Sequence, residues 1–294
     1  MNLIPRSMLR NGWTVWHLLG AAVMAGIALF ATWDVWQDIY NIAVRDEESS
    51  HIFLVPIVVL WLMYVRRKRL RYCAPTGLWV GPLIVAVGWL AHSVGDAYMF
   101  QSIWHGGVVL VVLGAALSCL GLPTARAFAP ALIALVFLVP IPGIVRQQLA
   151  MPLQTATAII TEQVLLVMAM PIDRAGNVLT INGVEVAIAE ACNGLRMVFA
   201  LTLVSYTLAF SLPLRSYVRA ILIVASPVSA VLCNVIRLIP TVWIYGYADV
   251  SIGDTFHDVS GWIMLGVSLL LLMGIIAALR WALVPVTRYT LATN

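Results

Sequence analysis

The sequence predicts an all-α polytopic membrane protein of about eight transmembrane helices, with a small extracytoplasmic β-hairpin and an amphipathic helix. Three observations carry this. Of the 294 residues 62% are hydrophobic and only 10% charged, and the mean hydropathy is +0.96, values that exclude a soluble globular domain. Apolar stretches near the length that crosses a bilayer, roughly 20 residues, recur along the chain. The basic and acidic residues alternate between the segments that join them, as they do when successive loops face opposite compartments.

Taken in order, the apolar stretches are 14–33, 52–65, 77–95, 103–121, 126–142, 194–212, 218–240 and 258–282. The basic segment Met1 to Asn11 precedes an apolar run with no small-residue cleavage site before Asp34, so the first stretch reads as a retained span. Asp34 to Ser50 carries an aromatic belt of Trp33, Trp36 and Tyr40 at its start. Pro140 to Ala191 is the largest extramembrane block. Within it Ile144 to Met170 mixes apolar residues with Arg146, Gln147, Gln148, Gln154, Thr155, Thr157, Thr161, Glu162 and Gln163, the pattern of a helix on a membrane surface or lining a cavity. Beyond Pro171, Asn182-Gly183 sits between two short β-favouring runs, the strongest local signal for a hairpin. One transmembrane domain over 1–294 is expected, with an extracytoplasmic insert at about 143–191 and no appended soluble domain.

Charge sets the sidedness. With the amino terminus in the cytoplasm, twelve of the seventeen basic residues fall inside, among them the cluster Arg66-Arg67-Lys68-Arg69 with Arg71, and all thirteen acids fall outside. Both termini are then expected in the cytoplasm, with the chain multi-pass in the cell's inner (cytoplasmic) membrane. The basic cluster beside a span reads first as a topology anchor rather than a nucleic-acid site; membrane lipids are partners, and no nucleic acid is expected.

Of four cysteines, Cys73, Cys119, Cys192 and Cys233, none shows CxxC or metal-ligand spacing, so no metal and no cofactor is expected. Cys192 alone faces the outer compartment, in Glu190-Ala191-Cys192-Asn193-Gly194-Leu195-Arg196. Arg237, in Cys233-Asn234-Val235-Ile236-Arg237, lies near the outer end of the seventh stretch, where a guanidinium is costly and needs a partner or a task. His257 opens the eighth stretch in Phe256-His257-Asp258. Thiol, guanidinium and imidazole on one membrane face suit acyl transfer: a thiolate attacks, a histidine moves protons, and an arginine holds an oxyanion or orients the peptide.

At these residues the chain resembles the exosortase and archaeosortase family of multi-pass membrane cysteine transpeptidases. Glu190 to Arg196 is similar to the family's nucleophile motif, Asn234 to Arg237 to its Asn-x-x-Arg motif, and Phe256-His257 with Gly261 to its Phe-His pair followed by glycine. Ser50-His51, Pro56 and Arg66 to Arg69 resemble an early family pattern. Asn193 stands where the family more often carries serine. The resemblance implies Cys192 as nucleophile, His257 as acid and base and Arg237 as oxyanion or orienting residue, with Glu190, Asn193, Arg196, Asn234 and His51 in support. It also implies the partners: exported proteins with a carboxy-terminal motif such as Pro-Glu-Pro, a transmembrane helix and a basic tail, together with a cell-surface acceptor.

Each residue has a plainer reading. A membrane cysteine is commonly a small buried hydrophobe; Arg237 can snorkel to the interface and pair with Asp249 or Asp254; His257 can serve a helix start. Arg196 is either a second oxyanion donor or the partner of Glu190, and Asn234 either bonds across helices or positions Arg237. His51, His92 and His105 read as interfacial. The competing function from another class is a non-enzymatic transporter or flippase for polysaccharide or lipid export. Transporters place ionisable groups near the bilayer midplane, whereas here they gather at one surface. A redox role lacks a second outer cysteine.

Overall fold

The computed structural model describes residues 12–76, 79–188 and 195–282. They form two compact units that divide between Pro142 and Gly143.

The first unit opens with α1 (Val15–Ala31) and α2 (Trp33–Arg45), bent from each other by 78°. At the bend the Thr32 hydroxyl donates to the Ala28 carbonyl (2.7 Å) and accepts from Trp36 Nε1 (3.1 Å). The segment with the interfacial aromatic belt is thus an amphipathic helix over most of its length, burying Val35, Ile39 and Ala43 at intervals of four. A 3-10 turn (Glu47–Phe53), α3 (Leu54–Arg66) and a second 3-10 turn (Arg67–Tyr72) form one run, and the Trp13 indole N–H ties its far end to α1 by donating to the Cys73 carbonyl at 2.7 Å.

α4 (Val80–Ala97) and α5 (Gln101–Leu120) approach closely because Gly81, Gly88 and Gly95 repeat every seven residues along their contact. A Cβ on Gly81 would stand 2.3 Å from the Ser118 backbone nitrogen, and one on Gly95 2.3 Å from that of Trp104. The stretch expected to span at 126–142 is instead broken into α6 (Leu122–Ala127), α7 (Ala129–Ala134) and a 3-10 turn (Leu135–Leu138). Pro123 and Pro130 each stand in the first turn of a short helix, where a missing N–H costs nothing. His105, read as interfacial, is wholly buried on α5 with Nε2 2.8 Å from Asp38 Oδ2 of α2. His92 is half-buried, its ring stacked 5.9 Å from that of Trp104.

The second unit begins with α8 (Gly143–Val167), followed by a three-stranded antiparallel sheet, β1 (Ile172–Ala175), β2 (Val178–Ile181) and β3 (Val184–Ala187), in that order. The predicted Asn182-Gly183 turn is present, both residues at positive φ (51° and 79°) as a type I′ hairpin requires. The extra strand β1 enters through a second two-residue turn, Gly176-Asn177. Leu179, Ile181, Val186 and Ile188 pack with Ala158 and Leu165 of α8. Three helices follow: α9 (Leu195–Ser211), α10 (Ser216–Tyr247) and α11 (Val250–Trp281). Pro227 leaves the Ile223 carbonyl without its helical donor, and the Ser226 hydroxyl takes that place at 2.9 Å.

Among the described residues six helices are long and apolar enough to cross a membrane, or seven with the bent α1–α2 pair, against about eight from the sequence. α8 is among the six, although its polar residues point to a surface or cavity position; Leu195–Ser211 is shorter and apolar. The protein is a multi-pass membrane protein of helices with a small three-stranded sheet.

Candidate active site

Arg237 and His257 lie on consecutive helices joined by a two-residue link. α10 continues to Tyr247 and α11 starts at Val250, so both helices run further than the apolar stretches at 218–240 and 258–282. Antiparallel helices turning at residues 248–249 set Arg237 level with Gly261, and the side chains follow this geometry. A Cβ on Gly261 would stand 3.0 Å from Arg237 Nη1, so the guanidinium lies directly on the α11 backbone. His257 is one turn away, about 6 Å along the axis. It stands on the stripe of α11 that buries Gly253, Ser260 and Ser268.

Arg237 is 6% exposed and its Nη2 donates to Asn234 Oδ1 at 2.9 Å, with Asn234 itself 3% exposed. Thr241 Oγ1 donates to the Arg237 carbonyl at 2.7 Å. Among the described residues Arg237 forms no ion pair, and its Nε has no hydrogen-bond partner. The pairing with Asp254 entertained from the sequence is not formed: Asp254 Oδ1 accepts from the Tyr245 hydroxyl at 2.6 Å, at the corner where the Tyr245 ring covers Gly253. Asn234 is therefore the neighbour that orients the guanidinium.

His257 is inside α11, seven residues past its start, so it does not cap the helix. Its ring is partly exposed; Nδ1 lies 3.4 Å from Asp258 Oδ1, and its carbonyl accepts from Ser260 Oγ at 3.0 Å.

Glu190, Cys192 and Asn193 lie outside the described residues. The residues that flank them are firmly held. Ile188, fully buried, donates its N–H to the Asn177 carbonyl (3.0 Å) and packs with Leu238 and Val242 of α10. On the other side Leu195 is buried, and Met197 packs with Ala230 and Cys233 of α10 and with Met264 of α11. The two anchors thus grip α10 on either side of Arg237. Arg196 stands half-buried in the first turn of α9. His51 belongs to the first unit, buried in the Glu47–Phe53 turn with Nδ1 2.9 Å from the Glu48 carbonyl.

The sequence did not single out the clasp that holds the sheet. Asn177 Oδ1 accepts from Thr155 Oγ1 (3.1 Å), and Asn177 Nδ2 lies 3.4 Å from Gln154 Oε1. Arg174 Nε donates to Glu162 Oε2 at 2.6 Å, fixing β1 on α8. The polar residues of α8 that suggested a cavity are in part fasteners for the sheet. A Gly-Asn pair between β-favouring runs was the available sign. Among the described residues no cluster of histidine, cysteine and acids is fit to hold a metal.

The class defined by this architecture is a multi-pass membrane protein carrying a buried arginine and a histidine on facing helices, with Ile188 and Leu195, the residues that bracket the cysteine-bearing stretch, both buried. The chain belongs to the transmembrane exosortase family, which matches residues 36–274. Exosortases are membrane-embedded sorting transpeptidases. No curated protein and no solved structure matches the chain.

Proposed function

We propose that the protein is a cysteine protease and transpeptidase that cleaves PEP-CTERM-like sorting signals of exported proteins at the outer face of the inner membrane, with both termini cytoplasmic. Cys192 is the nucleophile, His257 the acid and base, and Arg237 the oxyanion-binding residue. The observation that carries the reading is the Arg237 guanidinium, buried, oriented by Asn234 and lying on α11 one turn from His257.

The Cys192 thiolate attacks the scissile carbonyl carbon, forming a C–S bond and an oxyanion facing the guanidinium. Collapse breaks the C–N bond, and His257 protonates the departing amine, which leaves with the substrate's membrane anchor. The acyl-enzyme is a thioester. His257 then takes a proton from an acceptor amine or water, whose attack releases the sorted protein and restores the thiolate. Planarity and two parallel N–H groups suit arginine to this task better than lysine. Glu190, Asn193 and Arg196 support the nucleophile segment.

The test is processing of a tagged substrate bearing motif, helix and basic tail. Cys192→Ala should insert normally and process nothing, while the active enzyme treated with hydroxylamine should release a hydroxamate from the thioester. Full processing by Cys192→Ala overturns the nucleophile assignment.

A further inference from the structure

The first unit contains a groove of about 710 Å³ between α1, α4 and α5, whose walls include Ala28, Val85, Ala86, Leu90 and Val111. Its origin is the glycine ridge. Gly81, Gly88 and Gly95 draw α4 onto α5, while α1 packs on α5 through Ala28 against Val111 and Ala115, so α1 and α4 share a neighbour without closing on each other. The lining offers a polar ligand almost nothing: the Ser118 hydroxyl already donates to the Gly114 carbonyl at 2.9 Å.

The dimensions suit a lipid tail. From Pro82 to Ser93 the groove runs about 16 Å at the helical rise, the depth of one leaflet in a hydrocarbon core roughly 30 Å thick. Spread over that length, 710 Å³ leaves a cross-section of about 44 Å². An extended hydrocarbon chain fits within that cross-section.

Charge identifies the headgroup. The Pro82 and Ser118 end of the groove is the end of α5 that leads to Gly121, which bridges Thr76. Cys73, just before Thr76, is held by Trp13 and by the Pro123 carbonyl, 3.5 Å from its Sγ. The basic turn Arg67–Tyr72 is therefore fixed at that same end, with Lys68 and Arg69 exposed. We propose that the groove seats an acyl chain of an anionic glycerophospholipid whose phosphate lies on this basic turn. Such a lipid would brace α1 against α4, a gap that the protein's own side chains leave open.

Native mass spectrometry of the full chain, released from nanodiscs of equimolar phosphatidylglycerol and phosphatidylcholine, tests this. A retained phosphatidylglycerol in at least tenfold preference is expected. Lys68→Gln with Arg69→Gln should cut the preference about fivefold per charge removed, and Ala86→Trp, which fills the groove, should abolish retention. A phosphatidylglycerol with a photoactivatable acyl chain should crosslink wild-type protein at Trp89 or Leu90, a readout independent of how the variants fold. Equal retention of the two lipids, undiminished retention by Ala86→Trp, crosslinks confined to other helices, or a crosslinked second copy of the chain would each overturn the proposal.

Discussion

Replacing Gly261 by alanine isolates the geometry on which the proposed chemistry depends. The added Cβ would stand 3.0 Å from Arg237 Nη1, against an optimum of about 3.5–4.0 Å for such contacts. The guanidinium must therefore retreat by about 0.5 Å, the tolerance to which a catalytic group has to be held. A misplacement of about 1 Å costs around 10²-fold, so half of that predicts a loss of about tenfold in kcat/KM, or ~1.4 kcal/mol. Stability should hardly change, because the alanine gains up to about 1 kcal/mol of helix propensity, which offsets a mild overpacking penalty of about 1 kcal/mol. Gly266→Ala is the control: nothing lies within 4 Å of its added Cβ, so it gains the propensity and keeps full activity. The assay is the rate of tagged-substrate processing in membranes at matched enzyme levels, with thermal unfolding in parallel. Wild-type processing by Gly261→Ala would refute the claim that the guanidinium acts from its observed position.

Other substitutions test neighbouring links. Arg237→Lys keeps the charge but loses the planar fork, and processing should fall at least 10²-fold while insertion is normal. Asn234→Ala leaves a buried guanidinium N–H without its acceptor and should cost about 1–3 kcal/mol of stability, read as a lower unfolding midpoint, with Asn234→Asp restoring part of it. His105→Ala removes the buried partner of Asp38 and should destabilise the chain by about 2 kcal/mol in thermal unfolding. Burial pushes the Cys73 thiol above its ordinary pKa, with Arg69 only partly opposing. Less thiolate is then present at a given pH, and maleimide should modify native Cys73 more than tenfold slower than a free thiol, recovering on denaturation.

Hydropathy made the membrane class and most of the helix positions legible, because burial in lipid imposes length and apolarity on each span. It misplaced what does not depend on those quantities. The ends of α10 and α11 lie beyond the apolar stretches because Tyr245, Gly253 and Asp254 build a polar corner that hydropathy scores as loop. α2 was hidden because a surface helix of thirteen residues is only half apolar, and its signature is the spacing of Val35, Ile39 and Ala43. His105 was misjudged because a buried histidine needs a partner 67 residues away, which no local pattern announces. Asn-Gly revealed the hairpin since the backbone at positive φ tolerates few residues, and the third strand escaped because Gly176-Asn177 is the weaker form of that signal.

The arrangement around α10 bears on the proposed site, because it brings together the surroundings of motifs distant in sequence. Arg237 is flanked on its own helix by Cys233 and Leu238, and each of these is the docking point for one end of the segment that carries Cys192. Between Ile188 and Leu195, both buried, only six residues intervene. The same helix face presents Arg237 to α11 beside His257. A single 32-residue helix thus carries the guanidinium, meets Ile188 and Met197 on either side of the Cys192 stretch, and lies against the helix of His257. Shifting α10 by one residue, by inserting an alanine between Pro227 and Cys233, rotates Arg237 by about 100° relative to the helix before the insertion. That insertion should abolish processing even where the protein still reaches the membrane, and an active insertion mutant would show that the helix does not set the register of the site.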